Sequence, residues 1–166
     1  MLRVLVALAV VVASGVAVAA CEHQDAPPLL SPPPSSPDSR PIVTFTTAQG
    51  DATVRVEVVQ SEAKVERGLM YREHLPPDDG MLFLLDEEKE WKFWMRNTLV
   101  PLDIIFITRD MKVAGVSANA VPRSEKLLTV GVPSLFVVEV NAGWAVAHHV
   151  SAGSVVKFAG VESAAR

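Results

Sequence analysis

LDIIFIT, at residues 102–108, is the stretch that decides the fold. Asp103 is its single charged residue, and the other side chains are apolar up to Thr108. A short apolar run of this kind predicts a central strand that is buried on both faces of a sheet. Arg109 and Asp110 form a polar turn, after which residues 111–116 return as the second strand of a hairpin.

Short runs that favour strands lie on both sides of this hairpin. Residues 42–47 are β-branched and aromatic, and residues 54–58 alternate valine with charged side chains. Ser61 predicts the start of a helix of about ten residues. Further elements are expected as strands at 81–85, 91–95, 135–140 and 154–159, a charged turn at 86–90, a loop at 117–133 and a helical stretch that ends at His149. This pattern predicts a mainly β fold with minor α+β character, a compact antiparallel β-barrel or sandwich with one or two short helices.

The N-terminal segment has the features of an export signal. Arg3 precedes an apolar run at residues 4–20, and the small residues before Cys21 resemble the lipobox at which bacterial lipoproteins are cleaved and acylated. We therefore expect residues 1–20 to be a signal peptide and Cys21 to be the site of lipidation. Two alternatives stay open: an uncleaved membrane helix, and cleavage after an Ala-x-Ala pattern that leaves Cys21 as a free thiol.

Residues 21–40 are rich in proline and serine. Proline lacks the N–H group and fixes φ, so this segment is expected to be a semi-rigid tether, with a leader of no spacing role as the alternative. Residues 41–160 are expected to form a single β-rich domain, followed by a tail at 161–166. The predicted location is the periplasmic side of the cell envelope; Glu22 stands where aspartate would favour inner-membrane retention, which slightly favours the outer membrane.

The composition excludes several classes of function. The net charge is -4, so the chain lacks the basic footprint that nucleic acid requires, and no nucleic-acid partner is expected. Cys21 is the single cysteine, which excludes an internal disulfide framework; once acylated, it would leave no free thiol. No cofactor is expected. No metal site is expected either, because His148 and His149 are adjacent rather than three or four residues apart.

Three blocks in order carry a resemblance to a known family. They read ERGLMYR at residues 66–72 with LP and GMLF shortly after, FWMRNTLVPLDIIFI at 93–107, and VEVNAGWA at 138–145. Over nearly all of residues 43–159 the chain resembles the family called domain of unknown function 192. The resemblance implies a compact, mainly β fold that is often exported, and it implies no reaction. Some members carry a Pro-Cys pair after the hairpin; residues 121–124 read VPRS, so chemistry through those thiols is not expected.

A candidate binding surface lies in the second block. On a strand, successive side chains point to opposite faces. Trp94 would therefore share one face with Lys92 and Arg96, while Trp91, Phe93 and Met95 would face the core. A tryptophan between two cations predicts a stacking platform for a sugar or an anionic glycan, with Asn97 and Asp103 near enough to bind hydroxyl groups. In the alternative, Trp94 packs under a loop and the two cations cover it through cation–π contacts.

Other polar residues extend the candidate ligand-binding set. Arg67 and Arg72 could hold a carboxylate or a phosphate, or pair internally with neighbouring acidic residues such as Glu66, Glu73 or Asp79. Asp103 must find a partner if it is buried; Arg67 or Arg96 is the expected one, which would make Asp103 structural rather than catalytic. Asn141, at the turn after strand 135–140, completes the set.

Three functions fit these observations. The first is a membrane-tethered binding or scaffolding module whose ligand is an envelope glycan or an envelope protein. The second is an enzyme that acts on envelope polymers, with Asp103 or Glu139 as the acid/base group and an arginine holding an anion. The third is a purely structural accessory lipoprotein. No catalytic motif is present, so the binding module is preferred and no catalytic residue is assigned.

Overall fold

The computed structural model describes residues 39–161, which form a mainly β domain of seven strands and two short helices. The predictions for residues 1–38, including the signal peptide, Cys21 and most of the tether, lie outside the described residues. Within residues 39–161 no helix is long and apolar enough to cross a membrane. The elements are β1 (Ile42–Thr47), β2 (Gly50–Val59), α1 (Glu62–Arg67), β3 (Asp79–Lys89), β4 (Leu102–Ile107), β5 (Val113–Ala120), β6 (Ser134–Asn141), α2 (Trp144–Ala147) and β7 (Val155–Ala159).

All seven strands belong to one sheet with the order β5-β4-β6-β3-β2-β1-β7. Neighbouring strands pair antiparallel except β2 and β3, which are parallel. The predicted antiparallel arrangement therefore holds for every neighbouring pair except this one. The exception follows from the connection between the two strands: α1 and the proline-containing loop after it carry the chain back along β2, so that Asp79 at the start of β3 lies opposite Arg55, as a parallel crossover requires.

The sheet curls until its two edges approach each other. Lys112, just before β5, forms an isolated bridge with Val155 at the start of β7. The N–H of Val113 donates to the carbonyl of Ser154 (2.9 Å), and the N–H of Val156 donates to the carbonyl of Met111 (2.8 Å). These bonds satisfy some of the backbone N–H and C=O groups at the two edges of the sheet and give it the form of a half-barrel. The predicted mainly β class is confirmed.

Apolar side chains cover both faces of the sheet. One cluster draws residues from every strand and from α2, and lies inside the curl. The second covers the other face of β3, β4 and β6 and includes side chains from the segments around α1 and residues 91–100. All six residues of β4 are buried because they alternate between the two clusters. The prediction that this stretch is a strand buried on both faces is confirmed.

Several element boundaries differ from those predicted. Helix α1 ends at Arg67 because Gly68 takes φ 46° and ψ −134°, which residues with a side chain rarely adopt. The predicted turn at 86–90 falls largely within β3, and β5 runs on to Ala120. Residues 91–95 are not a sheet strand: Phe93 forms a single bridge to Leu128. This segment lies over the second cluster, where Met95 is fully buried.

Candidate functional site

The centre of the candidate site is the carboxyl group of Glu139 on β6. Glu139 lies opposite Met81 of β3 and Ile104 of β4, so its side chain stands among apolar neighbours on the face of the second cluster. It is 5% exposed, and within residues 39–161 no hydrogen bond or ion pair to its side chain is found. A buried carboxyl normally has a partner, so this one is available to something that enters from outside.

A small cleft gives access to this carboxyl. Its volume is about 130 Å³, well below the roughly 300–1,000 Å³ of pockets that enclose a whole small molecule. Gly68 forms part of its wall: a Cβ atom at this position would lie 3.6 Å from Oε2 of Glu139 and 3.3 Å from the Phe83 ring. A side chain at position 68 would therefore contact the carboxyl and fill part of the cleft at the end of α1.

Burial changes the proton affinity of this group. Removal of the carboxyl from water disfavours its charged form and raises the pKa of Glu139 to about 8. At neutral pH the group therefore holds its proton. It then presents one O–H donor and one carbonyl acceptor side by side.

The walls of the cleft are apolar and partly aromatic. Val65 and Leu69 close one side, and Trp91, Phe93 and Trp94 close the other. The Phe93 ring is fixed by edge-to-face contacts with the rings of Phe83 (5.4 Å) and Phe106 (5.7 Å) between centroids. The aromatic wall is thus held by the second cluster and is preformed.

A shallow groove continues from the mouth of the cleft. It is lined by Arg67, Tyr71, Trp94, Arg96 and Asn97, among others, and its volume is about 380 Å³. The N–H of Tyr71 donates to the carbonyl of Asn97 (2.9 Å), which joins the segment after α1 to the segment 94–97. Tyr71 is 62% exposed and Trp94 is 38% exposed. Two aromatic side chains are therefore available to a ligand that lies along this groove.

The charges around the cleft and groove are mainly positive. Arg67, Lys92 and Arg96 are exposed there, with Glu66 as the exposed carboxylate. The guanidinium carbon of Arg96 lies 5.5 Å from the centre of the Trp94 ring, and its Nε lies 3.9 Å from Glu125. Since Glu139 is neutral at pH 7, the rim favours an anionic ligand.

Four of the predicted binding residues lie together in this region: Arg67, Trp94, Arg96 and Asn97. Trp94 has features of both predicted arrangements: Arg96 contacts the ring, as in the cation–π alternative, while the ring stays partly exposed, as a stacking platform requires. Arg67 makes no side-chain hydrogen bond or ion pair within the described part of the chain, so the predicted internal pairing is not seen for this arginine.

Arg72 lies elsewhere. Its guanidinium forms two hydrogen bonds with Glu57, at 2.6 and 2.5 Å, instead of pairing with the nearby acidic residues that the sequence offered. This contact lowers the pKa of the Glu57 carboxyl, because the hydrogen bonds from Arg72 favour its charged form. Arg72 therefore holds α1 and the loop after it against β2.

Asp103 is fully buried inside the curl of the sheet. Its carboxyl accepts hydrogen bonds from the backbone N–H groups of Asn119 (2.8 Å) and Ala145 (2.9 Å). The expected arginine partner is wrong, because Arg67 and Arg96 lie on the other side of the sheet. Asp103 is structural: it fixes the end of β5 and the start of α2.

Asn141 also has a structural role. Its side-chain amide donates to the carbonyls of Leu75 and Pro76, both at 3.0 Å. It borders a separate, more open depression of about 570 Å³. In that depression the Trp144 Nε1–H donates to Asp78 (3.0 Å), and His148 lies against the Trp144 ring at 4.3 Å. No group of three or more potential metal ligands is found in residues 39–161.

From sequence, Glu139 is one of two candidate acid/base residues and lies outside the candidate ligand-binding set. Its signal was present: it is the single charged residue in the apolar run at 135–140. The same signal marks Asp103 in β4, so sequence could not say which carboxyl is paired and which is open.

The chain is similar to known proteins in sequence and in structure. The model of the family DUF192, described as "Uncharacterized ACR", matches residues 43–158. No curated protein matches the chain. The crystal structure of a protein of unknown function from Novosphingobium aromaticivorans DSM 12444 is similar, with 40% identity and a TM-score of 0.68, over 70% of this chain and 83% of that one. A candidate transcription regulator from Sinorhizobium meliloti 1021 is similar at 38% identity and a TM-score of 0.69, over 73% of this chain and 95% of that one.

Proposed function

This chain belongs to the domain of unknown function 192 family, and on that premise we propose that it is an envelope-tethered module that binds an anionic glycan. The observation that carries the proposal is the unpaired carboxyl of Glu139 at the base of an aromatic cleft whose rim is basic. No side-chain oxygen in residues 39–161 is both fully enclosed and without a hydrogen bond, so the unpaired oxygens of Glu139 reach the cleft, where a ligand can bond to them.

The shape of the region favours a polymer over a small free molecule. The cleft, at about 130 Å³, is too small to enclose a ligand, whereas the groove that continues from it is open and has a volume of about 380 Å³. A chain molecule can place one substituent in the cleft while its neighbouring units lie along the groove. This arrangement favours an extended ligand.

The side chains along the groove favour a carbohydrate. Trp94 and Tyr71 offer exposed ring faces, and aromatic side chains combine an apolar face with a polar edge that suits sugar rings. Arg67, Lys92 and Arg96 add positive charge that attracts acidic groups on such a chain. DNA is not proposed as the ligand, although one relative is described as a candidate transcription regulator, because the net charge of the chain is -4.

Trp94→Ala is expected to weaken binding to an acidic glycan by about tenfold, since it removes an exposed ring face against which a sugar ring would bury apolar surface at about 25 cal/mol per Å². Glycan arrays and titration calorimetry would measure this loss. Trp94→Phe should keep most of the affinity. Arg96→Ala should also weaken binding and reduce its salt dependence, whereas Arg109→Ala, an equally exposed arginine in the β4–β5 turn, should not. Equal binding by wild type and Trp94→Ala would reject the site.

The proposed location rests on the N-terminal residues. Lipidation of Cys21 would anchor the protein in the membrane, and residues 21–40 would hold the domain away from the lipid surface, where it can reach a polymer. The outer membrane is slightly favoured over the inner membrane, because Glu22 is not aspartate.

Cys21→Ser is expected to abolish metabolic labelling with a radioactive fatty acid and to move the protein from the membrane fraction to the soluble fraction. The physical reason is that the thiol is the acceptor of the lipid and no other cysteine can replace it. Fractionation and labelling of cells that produce the wild type and the variant would measure both changes. Persistent labelling of the variant would contradict the assignment.

Hydrolysis of an envelope polymer is the second candidate function. It is favoured by the proton that Glu139 holds at neutral pH, which is the state of a general acid. Glycosidases commonly use two carboxyl groups, and Glu66 is the other carboxylate that lines the cleft. Mass spectrometry of the glycan after incubation separates the two functions: a binding module leaves the chain length unchanged, and an enzyme produces fragments that disappear in Glu139→Gln.

A further inference from the structure

We propose that the Glu139 cleft binds the acetamido group of an N-acetylated amino sugar, so that the module recognises N-acetylated glycans. This inference rests on the proposed function and deepens it, since it names the substituent that enters the cleft. Three observations carry it: the size of the cleft, the composition of its walls and the hydrogen-bonding groups at its base.

The size of the cleft selects a substituent rather than a ring. About 130 Å³ accommodates a group of a few non-hydrogen atoms, and the Trp91, Phe93 and Trp94 side chains restrict its width. The sugar ring that carries the substituent would stay outside, on the exposed face of Trp94. An acetamido group meets this requirement, as do smaller groups such as a hydroxyl.

The walls select among groups of this size. Val65, Leu69 and Phe93 are apolar and surround the space above Glu139. A methyl group gains free energy when it leaves water for such surroundings. A hydroxyl or an ammonium group gains nothing from these walls and loses its hydration there.

The base of the cleft selects the polar part of the substituent. A protonated carboxyl can donate through its O–H, and the carbonyl of a secondary amide can accept. The N–H and C=O of a trans amide point in opposite directions, so the Glu139 O–H can donate to the amide carbonyl while the amide N–H points out of the cleft towards water. Both polar groups of the acetamido substituent are then satisfied, as a buried ligand group requires.

The surroundings of Glu139 keep it in the protonated form. From β3 and β4 the residues opposite are Met81 and Ile104, which carry no charge. The charged groups that face the cleft are Glu66 and Arg67 from α1 and Lys92 from the segment 91–94. They lie at the rim, and burial is the cause that raises the pKa of Glu139.

Three oligosaccharides of equal length test the assignment, because they differ only at carbon 2: β-1,4-linked N-acetylglucosamine, glucosamine and glucose. Titration calorimetry with the full domain near pH 6.5 is expected to give binding of the acetylated oligomer at least about tenfold tighter than that of the other two. Raising the pH to about 9 should weaken the wild-type interaction by about tenfold, because Glu139 then loses its proton.

Variants of Glu139 separate the acetamido assignment from an ion-pair site. Glu139→Gln should keep the affinity and lose the pH dependence, since its amide offers the same donor and acceptor. Glu139→Leu should lose binding, and Asp110→Asn, in the exposed β4–β5 turn, should behave as wild type. Tighter binding of the glucosamine oligomer together with loss of binding in Glu139→Gln would overturn the proposal.

The outcomes for the two proposals can be distinguished. Equal affinity for the three oligomers, or no affinity for the acetylated one, would overturn the acetamido assignment. In either case the anionic-glycan proposal is still decided by its own experiment, the loss of acidic-glycan binding in Trp94→Ala. Equal behaviour of wild type and Trp94→Ala towards both classes of glycan would overturn the two together.

Discussion

Asp103→Ala is expected to lower the free energy of unfolding by about 3–5 kcal/mol, because it removes two hydrogen bonds from backbone N–H groups to a buried carboxylate. The N–H of Ala145 would lose its partner inside the curl of the sheet, where Ala145 is 2% exposed. Water cannot easily replace the carboxylate at that position, so most of the cost is the unsatisfied donor.

Urea unfolding, followed by circular dichroism, would measure this change at constant m-value. Asp103→Asn should cost about half as much, since its amide oxygen can still accept one of the two bonds. Asp110→Ala in the exposed β4–β5 turn removes the same charge and should change stability by less than about 0.5 kcal/mol. A small effect of Asp103→Ala, close to that of the turn variant, would show that Asp103 is not the link between β5 and α2.

The second large effect is expected in the pH dependence of stability. The pKa of Glu139 is raised to about 8 in the folded state, above its value near 4.5 in an unfolded chain. Between these values the folded state holds a proton that the unfolded state has lost, so stability falls as the pH rises. The contribution is fully present below about pH 4.5 and is lost as the pH rises through about 8.

Each unit of pKa difference corresponds to about 1.4 kcal/mol, so the wild type should lose a few kcal/mol of this contribution between about pH 5 and pH 8. Glu139→Gln cannot titrate and should not show the loss. The measurement is the difference in free energy of unfolding between the two proteins across this pH range, in which titrations common to both cancel. A constant difference between wild type and Glu139→Gln would mean that Glu139 is ionised in the folded protein.

The position of the site explains why these two carboxyls differ. Asp103 and Glu139 stand on neighbouring strands, each inside an apolar run, but their side chains point to opposite faces of the sheet. The face inside the curl brings backbone N–H groups to Asp103. The other face brings apolar side chains and Gly68 to Glu139, and in the described part of the chain no hydrogen bond to its carboxyl is formed.

The sequence alone determined the parts of this protein that depend on local pattern. The alternation at residues 54–58 and the apolar run at 102–108 were sufficient to predict strands, because the period of a strand and its burial are properties of consecutive residues. The aromatic and cationic side chains at 92–96 marked one part of the candidate site for the same reason. The three family blocks are likewise recognisable in the sequence alone.

Tertiary structure alone decided which residues meet. The parallel pairing of β2 with β3, the partner of Arg72 and the partners of Asp103 depend on contacts between segments far apart in the chain, and local pattern carries no information about them. Glu139 is the centre of the site because Gly68 places no side chain over it and no group in residues 39–161 forms a hydrogen bond with its carboxyl. A charged residue in a buried strand needs a hydrogen-bond partner or a proton. Only the fold decides whether a group of the protein satisfies it or whether it is left for a ligand.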